Sequence, residues 1–433
     1  MNKKFLATLI LTACFVSGCV QMPKPITQTK TSQAEKNMIV RSLSYDGNNF
    51  RINKKLKSAK SGEPFQIAFV SSSTFADDKS KETSTAEEVT KAVKNYLGEK
   101  SEVSFINCGI KGANSLLGKV MIEKILSENN PDLIFIDFAG YEKNEQEIRE
   151  VFEALLRECL EQENSPQVVV LISADADGDG KQDFMEQTAR YYNLPIIDIA
   201  NAFFPEISSG RAKSEKFYID NSQLTKYAQN SLADFVVNYF KTVQANKKDK
   251  TYDIPSPMYQ NTDSFDIKQI SPKTLQSDND GSYVRENNNN KFFKNKITYL
   301  TNTGNNPFLF TINAKKIYLT VPVSNQRKDV AEIYINGKKV MDIDTNDVSE
   351  EDLPKVFKIH NGEQCERTNV AIKMKEEIAK NTEDEKNSEM TFATKEERQT
   401  TTQEKTPDKE EKEQTPEIQY KPFEIWGISY TEK

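Results

Sequence analysis

The chain is short of the residues that usually carry metal or acid–base chemistry. It has one histidine, His360, one tryptophan, and five cysteines in 433 residues. A single imidazole confines histidine chemistry to one place in the sequence. The cysteines stand apart at Cys14, Cys19, Cys108, Cys159 and Cys365, a spacing that makes neither a disulfide framework nor a zinc site. Beyond the first twenty residues there is no apolar run near the ~20 residues that a spanning helix needs. A basic excess is also missing: the formal charge is −7, which argues against a general nucleic-acid binder.

The first residues are informative. Lys3 and Lys4 precede a mostly apolar run from 5 to 16, which ends in Val16-Ser17-Gly18-Cys19. Small residues before a cut suit a signal peptidase pocket, and a cysteine at the cut supplies a thiol for lipid. The pattern resembles the bacterial lipoprotein signal and its lipobox. The resemblance implies removal of residues 1–18, a lipid on Cys19, and an extracytoplasmic protein whose only membrane anchor is that lipid. Cys14 would leave with the signal, and three unpaired cysteines would remain without a specified bridge.

Charged residues make up 28% and hydrophobic residues 36%, a balance that predicts folded domains with some disordered sequence. Four regions follow the signal. Residues 19–62 are polar and read as the lipidated cysteine, a tether and a loosely ordered lead-in. Residues 63–243 alternate short apolar runs with amphipathic stretches. Residues 244–295 read as a linker. Residues 296–433 read as short strands, interrupted at 376–418 by a Lys-, Glu- and Thr-rich tract that should stay disordered.

In the first folded region, strands are expected at 66–70, 102–107, 132–139, 167–173 and 195–199. Helices are expected at 86–97, 116–126, 145–160 and 184–192, with a last one striped by Leu224, Tyr227, Leu232, Phe235, Val236 and Tyr239. Near-continuous apolar strands alternating with helices predict an α/β fold with a parallel sheet covered on both faces. Ligands bind at the carboxyl ends of such strands. The loops there are Ser71-Ser72-Ser73-Thr74, Asn107-Cys108-Gly109-Ile110-Lys111-Gly112-Ala113-Asn114-Ser115, and Phe138-Ala139-Gly140-Tyr141-Glu142. Asp220-Asn221-Ser222-Gln223 precedes the last helix.

In this order the loops resemble the SGNH, or GDSL, hydrolase family over about residues 64–243, with a flavodoxin-like parallel sheet. The family hydrolyses esters, often acetyl groups on carbohydrates. The resemblance implies Ser73 as nucleophile, Gly112 as an oxyanion donor and Asp220 as the triad acid. Several positions depart from the family. Ser71-Ser72 replace the Gly-Asp before the nucleophile, and Tyr141 or Glu142 stands where the third-loop Asn is expected, with Asn144 further on. Gln223 replaces the histidine. An amide has no basic nitrogen to take the serine proton, and removing the histidine of a serine hydrolase costs about 10⁶ in turnover. Read without the family, Ser73 is a turn serine and Asp220 a helix-capping residue.

One local motif is intact. Asp175, Asp177, Asp179, the Lys181 carbonyl, Asp183 and Glu186 fall at the positions of a twelve-residue calcium loop, with Gly180 at the sharp turn. Gln182 replaces the usual apolar residue. Like charges near 4 Å repel by about 1 kcal/mol in water and about 4 kcal/mol at a surface-like dielectric, so an ordered loop calls for a cation such as Ca²⁺.

The last region predicts strands at 308–312, 316–322, 330–335, 339–343, 356–359, 369–374 and 423–430, with a hairpin turn at Asn336-Gly337. It resembles a jelly-roll-like β-sandwich. Trp426 is either core or a sugar-stacking platform. Two functions follow. One is a surface lipoprotein with a catalytically impaired SGNH-like domain that binds glycan or an envelope partner. The other is a working esterase or carbohydrate deacetylase that uses Ser73 in a rebuilt site. A structural part of an envelope complex is a third.

Overall fold

Short runs of three to seven residues become the strands of one sheet. The computed structural model describes residues 32–77, 83–139, 145–178, 183–220, 223–246, 249–375 and 420–432. The signal segment, Cys19 and the tract at 376–418 lie outside the described residues.

The first domain runs α1 (Gln33–Ser42), β1 (Leu43–Tyr45), α2 (Phe50–Lys60), β2 (Phe65–Ser71), α3 (Thr85–Leu97), β3 (Val103–Asn107), α4 (Ser115–Glu128), β4 (Leu133–Asp137), α5 (Gln146–Leu160), β5 (Gln167–Ile172), α6 (Asp183–Tyr191), β6 (Ile196–Asp198), α7 (Ile199–Ser208) and α8 (Lys226–Ala245). The sheet order is β1-β6-β5-β4-β2-β3. Strands β2 to β6 are parallel, and β1 is an antiparallel edge on β6. Every residue of β4 and β5 is buried, as strands covered on both faces must be. One core joins α1, α2, α3, α7 and α8 to the sheet; α4, α5 and α6 pack on the other face. Ser84 and Glu87 form a capping box that starts α3 where its apolar stripe begins.

Three expectations change. From Ser32 onward the lead-in is ordered: α1 and α2 pack on the sheet, and Arg41 pairs with buried Glu206 at 2.7 Å. Helix α2 buries only Ile52, Leu56 and Ala59 among its lysines, so its apolar stripe is hidden in a polar composition. The strand expected at 132–139 ends at Asp137, and the one expected at 195–199 ends at Asp198. The Asp198 carboxylate accepts from Asn201 N at 2.7 Å, which caps α7 and turns the apolar run 199–207 into helix.

The second domain is antiparallel: β7 (Lys268–Ile270), β8 (Tyr283–Asn287), β9 (Asn295–Tyr299), β10 (Phe308–Val323), β11 (Val330–Ile335), β12 (Lys338–Asp344), β13 (Leu353–Met374), β14 (Glu424–Ile425) and β15 (Gly427–Thr431). Six strands in the order β12-β11-β13-β10-β15-β7 face three in the order β14-β9-β8, around a core that includes Phe308, Leu319, Ile333 and Phe423. Asn336 and Gly337 both take positive φ, 50° and 80°, the two-residue hairpin turn expected of Asn-Gly. Two expected strand pairs are in fact single long strands, β10 and β13. Register shifts after Ala314 and Ile317 interrupt their pairing, and those breaks read as gaps in the sequence.

The segment read as a linker belongs to the fold. It supplies β7 and β8, and its start is fastened to α5. Buried Glu153 accepts from the backbone N–H of Met258 and, at 3.0 Å, of Tyr259. Arg157 donates to the Pro255 carbonyl at 2.7 Å. Further contacts join the domains: Lys358 pairs with Glu147 at 2.5 Å, and Tyr318 packs among Leu116, Val120 and Val151. Trp426 is core and not a platform. It is 5% exposed, its Nε1–H donates to Glu424 at 2.9 Å, and its ring lies 5.9 Å from that of Phe293. Cys108 and Cys159 are buried free thiols and Cys365 an exposed one. No helix among the described residues is long and apolar enough to cross a membrane.

Candidate active site

Strand β2 ends at Ser71, and the chain turns sharply through residues 72–75. The Ser72 N–H donates to the Asp137 carbonyl at 2.8 Å, which keeps the turn against the end of β4. Ser73 Oγ accepts a hydrogen bond from the Gly112 N–H at 3.3 Å. Gly112 has φ +72°, a conformation that favours glycine, and it turns that N–H toward the serine. The structure therefore joins the expected nucleophile to the expected oxyanion donor, from loops 39 residues apart in sequence.

Asn107, which opens the Asn-x-Gly-x-x-Gly-x-x-Ser segment and has no role assigned from the sequence, holds these two loops together. Its side chain is buried. Nδ2 donates to the Phe75 carbonyl at 2.8 Å and to Asp77 at 2.7 Å, and Oδ1 accepts from Gly109 N at 3.0 Å. At Gly109 a Cβ would lie 2.4 Å from the Phe75 carbonyl carbon, so only glycine lets the loops touch. The second domain reaches this junction too: Lys291 Nζ donates to the Asn107 carbonyl at 2.6 Å.

The acid–base side is built differently. Asp220 Oδ1 accepts from Gln223 N at 2.7 Å, and Oδ2 lies 3.7 Å from Lys111 Nζ. Asp220 is not a helix cap, because Thr225 caps α8 through Ala228 N at 3.2 Å; Asp220 closes the turn before it. Where the family's imidazole would link Asp220 to Ser73, this chain has an amide at 223 and an ammonium at 111. His360 does not fill the gap. It lies on β13 opposite Ile317, and its buried Nε2 has no hydrogen-bond partner among the described residues. Tyr141, Glu142 and Asn144, the candidates for a third oxyanion donor, lie outside the described residues.

A buried acid beneath the turn is a second feature absent from the sequence reading. Asp137 accepts from Ser173 Oγ at 2.7 Å, and also from the Thr74 side chain and the backbone N–H groups of Ala139 and Ser173. Burial still pushes its pKa above the ordinary carboxylate value. Tyr218 is buried nearby, and burial, then the charges of Asp175 and Asp137, push its hydroxyl up. Among the described residues, neither Asp137 Oδ2 nor Tyr218 Oη has a hydrogen-bond partner.

A two-domain esterase (CEX) active on acetylated mannans has this architecture. It is 19% identical, with a TM-score of 0.74 over 91% of this chain and 98% of its own. A structure of a two-domain esterase (CEX) active on acetylated mannans, co-crystallised with mannopentaose, gives 0.73 at 18% identity over the same shares. The chain shares the two-domain fold of that esterase. AlinE4, an SGNH-hydrolase family esterase, covers 42% of this chain and 97% of its own at 17% identity and a TM-score of 0.29. No family model matches the chain, and no curated protein resembles it in sequence.

In the first domain the calcium-loop motif follows β5. Asp179, Gly180, Lys181 and Gln182 lie outside the described residues. Asp177 N–H donates to Asp175 Oδ1 at 3.2 Å. Glu186, the twelfth residue of the motif, is engaged elsewhere: Arg190 Nε and Nη2 donate to it at 2.9 and 2.8 Å. Among the described residues, no three Asp, Glu, His or Cys side chains gather closely enough to hold a metal.

Proposed function

We propose that this protein is an SGNH-fold binder of acylated glycan, displayed outside the cytoplasm on a lipid at Cys19, with its hydrolytic step disabled. One observation carries the reading. Ser73 and Gly112 are in contact, while residue 223, whose backbone N–H donates to Asp220, is a glutamine and supplies no base. A pocket that keeps its shape and loses its proton acceptor binds without turnover, since loss of that acceptor alone costs about 10⁶ in rate. The choice of ligand rests on the likeness to an esterase active on acetylated mannans, a likeness of fold at 19% identity.

A fluorophosphonate probe and an acetate-release assay on acetylated mannan test the proposal, each with a Ser73→Ala control. We expect no Ser73-dependent labelling, no acetate, and retention of the protein on immobilised acetylated mannan in both forms. Labelling at Ser73 would instead support an active esterase or deacetylase with a rebuilt site. One observation favours that second reading: the raised carboxyl of Asp137 lies under the serine turn, bonded to Thr74.

A further inference from the structure

Between the domains, beside the free edge of β3, lies a crevice of about 150 Å³. Its walls are Ile106, Cys108, Met121, Ile125, Phe292 and Phe293, and it includes none of Ser73, Gly112, Asp220 or Gln223. The first four come from β3, the loop after it and α4. The last two come from the β8–β9 hairpin of the second domain, so the crevice exists only when the domains are packed together. Burial pushes the Cys108 thiol up to about 12, so the inner wall carries no charge. A cavity of this size accommodates one benzene-sized ring; Asn129 and Gln269 add polar groups to its lining.

The mouth is charged. Lys124 and Lys291 stand there with one carboxylate, Glu128. Lys124 Nζ donates to the Phe292 carbonyl at 3.2 Å and Lys291 Nζ to the Asn107 carbonyl at 2.6 Å. Lys291 also faces Asp77 at 3.6 Å. An ammonium has three donors, so a carbonyl contact fixes each lysine in place and leaves N–H groups for an incoming anion.

We infer that this interdomain crevice is a second binding site, for a single-ring aromatic carboxylate: the ring lies between Met121, Ile125, Phe292 and Phe293, and the carboxylate meets Lys124 and Lys291. The inference is independent of any activity at Ser73. The protein carries its own reporter, because its only tryptophan, Trp426, is 5.9 Å from the ring of Phe293.

The test is a fluorescence titration of the full chain with sodium benzoate, run in parallel with neutral benzyl alcohol. A saturable change in Trp426 emission is expected with both, tighter for benzoate, and unchanged in Ser73→Ala. Ile125→Phe fills the crevice and is expected to abolish it. The double variant Lys124→Met, Lys291→Met keeps the apolar walls. It is expected to weaken benzoate about fivefold, in line with exposed charge pairs, and to leave benzyl alcohol unaffected. No saturable response up to the solubility of benzoate would overturn the inference. So would a response that Ser73→Ala removes, or one that the lysine pair leaves intact for benzoate.

Discussion

The two halves of the cleft are held by different forces. On the serine side, Asn107 is 4% exposed and ties the Ser73 turn to the Gly112 loop with three hydrogen bonds. Gly109 closes the gap where a side chain would collide. On the base side, Asp220 and Lys111 are 42% and 47% exposed and 3.7 Å apart. Exposed pairs of this kind contribute about 0–1 kcal/mol. The serine and its backbone donor are therefore brought together by the same contacts that close the ends of β2, β3 and β4. Their meeting is a consequence of folding, and it persists whether or not catalysis does. The identity of residue 223 carries no such structural duty.

Restoring the base is the largest way to break this contrast. The turn already places residue 223 against Asp220, so Gln223→His supplies an imidazole next to its orienting carboxylate. We expect Ser73-dependent ester hydrolysis at least about 10²-fold above the parent chain, within the ~10⁶ that the histidine contributes in an intact triad. The measurement is p-nitrophenyl acetate turnover with a Gln223→His, Ser73→Ala control. Absence of any gain would mean that the base side has drifted in shape as well as in sequence.

Stability sharpens the contrast next. Asn107→Leu removes all three bonds and strands buried partners, at about 2–4 kcal/mol in urea unfolding. Asp220→Asn touches only the exposed side and should stay within about 0.5 kcal/mol. Equal effects in the two variants would show that the serine side is no better anchored than the base side.

How far these features were legible in the sequence follows from the forces involved. The apolar runs of β2, β4 and β5 announced themselves because both faces are buried. Ser73 and Gly112 were found because their loops follow those strands. Helix α1 escaped because only Met38 and Ser42 are buried in ten residues. Helix α7 escaped because only Asp198 separates its apolar residues from those of β6. The breaks in β10 and β13 sit where the pairing register shifts, which no single-strand pattern records. Asn107 looked like any turn asparagine: its role arises from Phe75, Gly109 and Asp77 meeting in space. The same holds for Asp137, which is bonded from the loops after β2, β4 and β5. The calcium motif was plain in the sequence from its spacing; Glu186 also meets Arg190, and residues 179–182 lie outside the described residues.

The smallest expected effect concerns pH, and it separates the halves by charge. The segment leading to Asp220 starts at Glu206, whose carboxylate is paired with Arg211 and Arg41, each at 2.7 Å. The hydrogen bond from Arg211, then that from Arg41, pulls its pKa from 4.5 to about 2. A lowered carboxylate pKa stabilises the fold above its unfolded value, and that contribution is lost as pH falls through the folded one. Acidification from pH 5 toward pH 2 should thus cost about 1–2 kcal/mol at this anchor, allowing for solvent around Arg211. Two of the three hydrogen bonds of Asn107, to Phe75 and Gly109, join neutral groups that do not titrate. Hydrogen exchange is the measurement: protection in residues 206–220 should fall between pH 5 and pH 3 before that in residues 107–113. Glu206→Gln, which cannot titrate, should remove the pH dependence of the first segment and leave the second as it was. If both segments loosen together, the cleft opens as one unit and the distinction between its halves is wrong.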